Sequence, residues 1–117
     1  MSLRNVVNIS ILEETLALHM RALAIYPVRE YQFELSRNWR FDFAFPAQKI
    51  AIECEGAAGY GRHSRKDGFE KDMEKYNAAT LLGWRLLRYG MKTIKSGKAI
   101  DEIEELLSQC GVNKVSY

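Results

Sequence analysis

Residues 41 to 56 constrain this chain more than any other stretch: Phe-Asp-Phe-Ala-Phe, a short linker, then Ile-Ala-Ile-Glu-Cys-Glu-Gly. Phe41, Phe43 and Phe45 alternate with Asp42 and Ala44, while Ile50, Ile52 and Cys54 alternate with Ala51, Glu53 and Glu55. A period of two marks strands whose two faces meet different surroundings. The linker Pro46-Ala47-Gln48-Lys49 has turn chemistry, so the two runs are expected to form an antiparallel hairpin. The three phenylalanines would then share one face, with Asp42 on the other. Pairing Phe45 with Ile50 sets Asp42 opposite Glu53 and Arg40 opposite Glu55. Like charges directly opposed destabilise a sheet, and a divalent cation between the carboxylates would offset that repulsion. The plainer explanation is a solvated sheet face on which Arg40 and Lys49 neutralise the acids.

The rest of the chain supplies partners for this hairpin. Ser10-Ile11-Leu12-Glu13 has the capping-box pattern, which would start a helix at Ser10. Leu12, Leu16, His19 or Met20, and Leu23 give that helix an apolar stripe, and Pro27 ends it. A first strand is expected over Arg29 to Leu35, with Tyr31, Phe33 and Leu35 on one face. Strands follow over Trp39 to Phe45 and Lys49 to Glu55. A polar, glycine-rich loop spans Gly56 to Gly68. A second helix starts at Gly68-Phe69, with Phe69, Met73, Tyr76 and Thr80 at helical spacing, and Gly83 stops it. Trp84 to Tyr89 reads as a fourth strand, and Lys98 to Cys110 as a last amphipathic helix. The order α-β-β-β-α-β-α implies one α/β domain over residues 1 to 117, with its core at about 10 to 90. Its mixed central sheet is flanked by helices, and the last strand enters through a crossover helix.

Composition narrows the function classes. The 117 residues are 47% hydrophobic and 27% charged, ordinary values for a globular protein long enough to bury a core. A net charge of +2 permits a nucleic-acid partner without demanding one. No apolar run is long enough to span a bilayer and no secretory signal pattern is present, so a cytoplasmic protein without a membrane partner is expected. Cys54 and Cys110 lack metal-type spacing, and Cys54 alternates onto an apolar face as a small hydrophobe.

Several residues could carry chemistry. Asp42 and Glu53, helped by Glu55 and the Cys54 carbonyl, would offer oxygen donors suited to Mg2+, with Mn2+ as a substitute. Glu13 is equally readable as a capping residue or as a further metal ligand, whereas Glu14 points elsewhere on the helix. Asp72 and Lys75 share a helix face. Lys75 would either orient water and stabilise charge on phosphorus or form a surface ion pair. Arg62, His63, Arg65 and Lys66 make a cationic loop beside the acids, as a phosphodiester track would require. Trp39, Tyr60 and Trp84 could stack bases, though aromatic residues in strands more commonly fill the core.

These blocks resemble the PD-(D/E)XK nuclease superfamily, and within it the very-short-patch-repair-like endonucleases and their small phage relatives. The resemblance runs through Ser10 and Glu13, Trp-Arg-Phe-Asp-Phe at 39 to 43 and Glu-x-Glu-Gly at 53 to 56. It continues through Gly-Arg-His at 61 to 63, Asp-x-x-Lys-Tyr-Asn at 72 to 77 and Gly-Trp-Arg-Leu-Leu-Arg at 83 to 88. It implies a restriction-endonuclease-like fold and a magnesium-dependent DNA endonuclease of phage DNA processing or repair, in a bacterial or phage-infected cell. Asp42 and Glu53 would bind metal, with Glu13 beside them. Glu55 stands where the superfamily usually has a lysine, and Lys75 would supply that cation from the next helix. A chain with one site would cut both strands as a homodimer or by sequential nicking. The alternative is a nucleic-acid-binding module that keeps the fold without catalysis.

Overall fold

The turn after Phe45 fixes the register of the sheet. The Gln48 amide donates to the Phe45 carbonyl (3.1 Å) and the Lys49 amide to the Pro46 carbonyl (3.2 Å), while Lys49 adopts a left-handed φ of 57°. The computed structural model describes residues 3–55 and 66–111, with side chains over 11–55 and 70–111. It pairs Phe45 with Ile50, Ala44 with Ala51 and Phe43 with Ile52, the register expected of the hairpin.

The elements are α1 (Leu3–Ala22), β1 (Val28–Glu34), β2 (Trp39–Phe45), β3 (Ile50–Cys54), α2 (Lys66–Leu81), β4 (Arg85–Tyr89), α3 (Met91–Lys95) and α4 (Lys98–Gln109). The sheet order is β1-β2-β3-β4, antiparallel except for the parallel β3–β4 pair that α2 connects. On one face, Leu12, Leu16 and Met20 of α1 pack with Phe43, Phe45, Ile50, Ile52, Ile94, Ile103 and Leu107. The other face holds a smaller cluster, in which Phe41, Ala44, Ala51 and Trp84 meet Ala79 of α2. No helix among the described residues is long and apolar enough to cross a membrane.

Four expectations change. First, α1 begins at Leu3, so Ser10 lies inside the helix and is not its N-cap. No proline or glycine interrupts residues 1 to 10, and helix extension past the first turn is favourable where nothing breaks it. Second, Phe41 does not share a face with Phe43 and Phe45. Arg29 pairs with Phe43 and Tyr31 with Phe41, and the intervening Glu30 has a left-handed φ of 50°. This residue rotates the strand pair, turning Arg29 and Phe43 toward α1 and Tyr31 and Phe41 toward α2. Leu35 lies beyond β1 and is exposed. Third, Met73 and Thr80 of α2 are exposed, and the helix turns Lys75 and Ala79 inward alongside Tyr76. It also begins at Lys66 rather than Gly68, and the Phe69 side chain lies outside the described residues. Fourth, a short helix, α3, precedes α4.

Two helices end in the same way with different residues. At the end of α2, Trp84 N–H reaches the Ala79 carbonyl (2.9 Å) and Gly83 N–H the Thr80 carbonyl (3.0 Å), with Gly83 at φ 90°. At the end of α1, Ile25 N–H reaches the Met20 carbonyl (2.9 Å) and Ala24 N–H the Arg21 carbonyl (3.0 Å), with Ala24 at φ 59°. Both are Schellman closures, so α1 is terminated before Pro27 by its own backbone. A left-handed alanine costs about 1–2 kcal/mol that glycine avoids, less what glycine's looser unfolded chain takes back. Ala24→Gly should therefore stabilise the protein by about 0.5–1 kcal/mol. Chemical denaturation would show the gain as a higher midpoint at unchanged slope.

Candidate functional site

Beyond Phe43 and Ile52 the hairpin ladder is continued by side chains. The Asp42 amide donates to Glu53 Oε2 (3.0 Å), and the Cys54 amide donates to Asp42 Oδ2 (2.7 Å). Each acid thus accepts from the backbone of the opposite strand, where the strands would otherwise pair. Glu53 is the one charged residue in the buried class among the described residues. Cys54 is buried as a small hydrophobe, and burial followed by the Asp42 charge pushes its thiol well above the usual range.

The left-handed Glu30 and the middle of α1 bring further acids to this end of the hairpin. Carboxylate oxygens of Glu13, Glu30 and Asp42 lie within 4.8 Å of one another. Burial, then the Glu53 charge, raises the Asp42 carboxyl to about 7 against the opposing Cys54 hydrogen bond. Burial, then Glu30, also raises Glu13. Hard oxygen donors grouped in this way suit a divalent cation, which would relieve their repulsion. Arg29 supplies partial compensation now: it bonds Glu14 at 2.8 Å, approaches Glu13 at 3.7 Å and lies over the Phe43 ring. Glu13 is therefore a member of the acidic group rather than of a capping box.

Cationic partners of the hairpin acids come from α2 and β4. Lys75 Nζ lies 2.8 Å from Glu53 Oε1, with both side chains largely buried. The Tyr76 hydroxyl also approaches Oε1, at 3.3 Å. Glu55 is held by Arg88 through Nε to Oε2 and Nη2 to Oε1, and the Arg88 guanidinium lies 4.5 Å from the Tyr76 ring centroid. The acids are thus not neutralised by Arg40 or Lys49. Arg40 is exposed and sits opposite Gln32, while Lys49 Nζ donates to the Leu82 carbonyl (3.1 Å) and lies over Trp84.

The structure brings Asp42, Glu53, Cys54, Lys75 and Glu13 to one end of the hairpin, and gives Glu55 a separate partner. Glu30 and Tyr76 join them without having been marked in the sequence as site residues. Glu30 enters through a left-handed backbone that no residue type announces there, whereas Tyr76 was assigned to an apolar stripe. Trp39, half-buried, stacks near Phe33 and under Arg37, whereas Trp84 packs against Phe41 in the aromatic core. Arg62, His63, Arg65 and Tyr60, together with the Lys66 side chain, lie outside the described residues. No family model, curated protein or solved structure matches the chain.

Proposed function

We propose that the protein is a divalent-metal-dependent DNA endonuclease of the PD-(D/E)XK type with a restriction-endonuclease-like fold. The observation that carries this reading is the contact of Lys75 Nζ with Glu53, whose other oxygen accepts from the Asp42 amide; Lys75 would then stand in for the lysine that the family motif has at Glu55. The α-β-β-β-α-β order with a parallel β3–β4 pair supports the same reading. Asp42 and Glu13, with Glu30 at the rim, would hold the cation, and Glu53 would join them as Lys75 moves off its carboxylate. A bound Mg2+ or Mn2+ supplies a Lewis acid for the phosphoryl oxygen and acidifies a water. Lys75, carried on a helix that faces the site, would stabilise negative charge developing on phosphorus. The cationic residues Arg62, His63, Arg65 and Lys66 would hold the DNA backbone.

A second reading, a DNA-binding module without catalysis, is favoured by the engagement of both Glu53 oxygens by internal donors. Supercoiled, branched, mismatched and single-stranded DNA incubated with Mg2+, Mn2+ or chelator separates the two. Cation-dependent products that disappear with chelator support the nuclease. Retention of DNA without products in any arm supports the binder.

A further inference from the structure

We infer that Glu55 is a positioning residue that diverts Arg88 away from Glu53, so that the removable Lys75 alone compensates the buried carboxylate. The inference rests on the nuclease reading for its purpose, but its geometry stands apart. Glu53 and Arg88 are direct partners across the parallel β3–β4 ladder. An arginine beside a buried carboxylate ordinarily closes on it through two hydrogen bonds. Here Glu53 instead takes the Lys75 ammonium at 2.8 Å and the Tyr76 hydroxyl at 3.3 Å.

Arg88 is occupied elsewhere. Two residues along the same face, Glu55 accepts from both Nε and Nη2 of Arg88, and the Glu55 amide is fixed by the Tyr89 carbonyl at 2.8 Å. The guanidinium lies on the Tyr76 ring, 4.5 Å from its centroid, where cation–π attraction adds to the hold. The Glu55 and Arg88 side chains are 39% and 48% exposed, and exposed pairs of this kind add little to stability. Their effect is directional: the arginine lies over the Tyr76 ring, and the Tyr76 hydroxyl meets Glu53. A lysine is a single flexible point charge and can leave Glu53 when a cation or phosphate arrives. A bidentate arginine would hold the carboxylate shut.

Removing the Glu55 charge should therefore release Arg88 onto Glu53 and free Lys75. In Glu55→Gln, acetylation of Lys75 by a small amine-reactive reagent, followed peptide by peptide with mass spectrometry, should accelerate at least threefold. In Glu55→Gln/Arg88→Met the rate should return to that of the wild type, because no arginine remains to displace the lysine. Cation-dependent cleavage should fall in the single variant and recover in the double. An unchanged Lys75 rate in Glu55→Gln, or an elevated rate that persists in the double variant, would overturn the inference. If Glu55→Gln does not fold, Glu55→Ala, which likewise removes the charge, carries the same expectation. Absence of cleavage by the wild type would count against the nuclease reading alone, since the labelling rates need neither metal nor DNA.

Discussion

Replacing Asp42 with asparagine should make the protein more stable above neutral pH while ending cation-dependent cleavage. Asparagine keeps a carbonyl oxygen for the Cys54 amide (2.7 Å in the wild type) and loses the charge crowded against Glu53, Glu13 and Glu30. The folded Asp42 carboxyl sits at about 7, above its ordinary 3.8. An acid raised on folding contributes stability in full below its unfolded value, and that contribution is lost as pH rises through the folded one. The wild type should thus weaken between about pH 4 and pH 8, whereas Asp42→Asn lacks this loss. At roughly 1.4 kcal/mol per pH unit the difference at pH 8 is at most about 4 kcal/mol, or on the order of 10 °C in Tm. The two proteins should converge near pH 4. Mg2+ should raise the wild-type Tm by mass action and do much less for Asp42→Asn. A lower Tm for the variant at pH 8 would mean that the Asp42 charge is a structural partner, and the cation assignment would lose its basis.

The hairpin could be read from the sequence because its causes are local. The turn at Pro46–Lys49 and the alternation in Ile50 to Glu55 are sufficient to oppose Asp42 and Glu53. The parallel entry of β4 was legible from the helix between two strands. What escaped depends on non-local packing or on backbone sign. Phe41 changes face because Glu30 is left-handed, and nothing in Arg-Glu-Tyr requires that. The same rotation brings Glu30 to Glu13 and Asp42. Periodicity places Met73 inward on α2, but a buried Glu53 makes an inward lysine favourable at position 75. Tertiary electrostatics there outweighs hydrophobic pattern. Of the two readings open for Glu13, the capping one falls because the helix continues upstream, and mid-helix amides are already bonded within the helix.

The Lys75–Glu53 pair should show the largest single-residue cost. The two side chains are 17% and 9% exposed, so neither charge can be abandoned to water without rearrangement. Lys75→Met leaves a buried carboxylate with only the Tyr76 hydroxyl and the Asp42 amide as donors, beside the acidic Asp42. Breaking such a pair from one side costs roughly 3–5 kcal/mol. Glu53→Gln should cost less, about 1–3 kcal/mol, because Lys75 can extend its ammonium toward solvent while the glutamine still accepts from Asp42. In Glu53→Gln/Lys75→Met neither charge remains, and the double variant should be more stable than Lys75→Met alone. Denaturation of the four proteins closes the cycle. All three variants should lose cleavage, so activity alone cannot show whether the pair holds the fold, but the coupling energy of the cycle can. If Lys75→Met matches the wild type at pH 8, Glu53 is compensated by something other than Lys75. The lysine would then have no claim to the place beside the scissile phosphate.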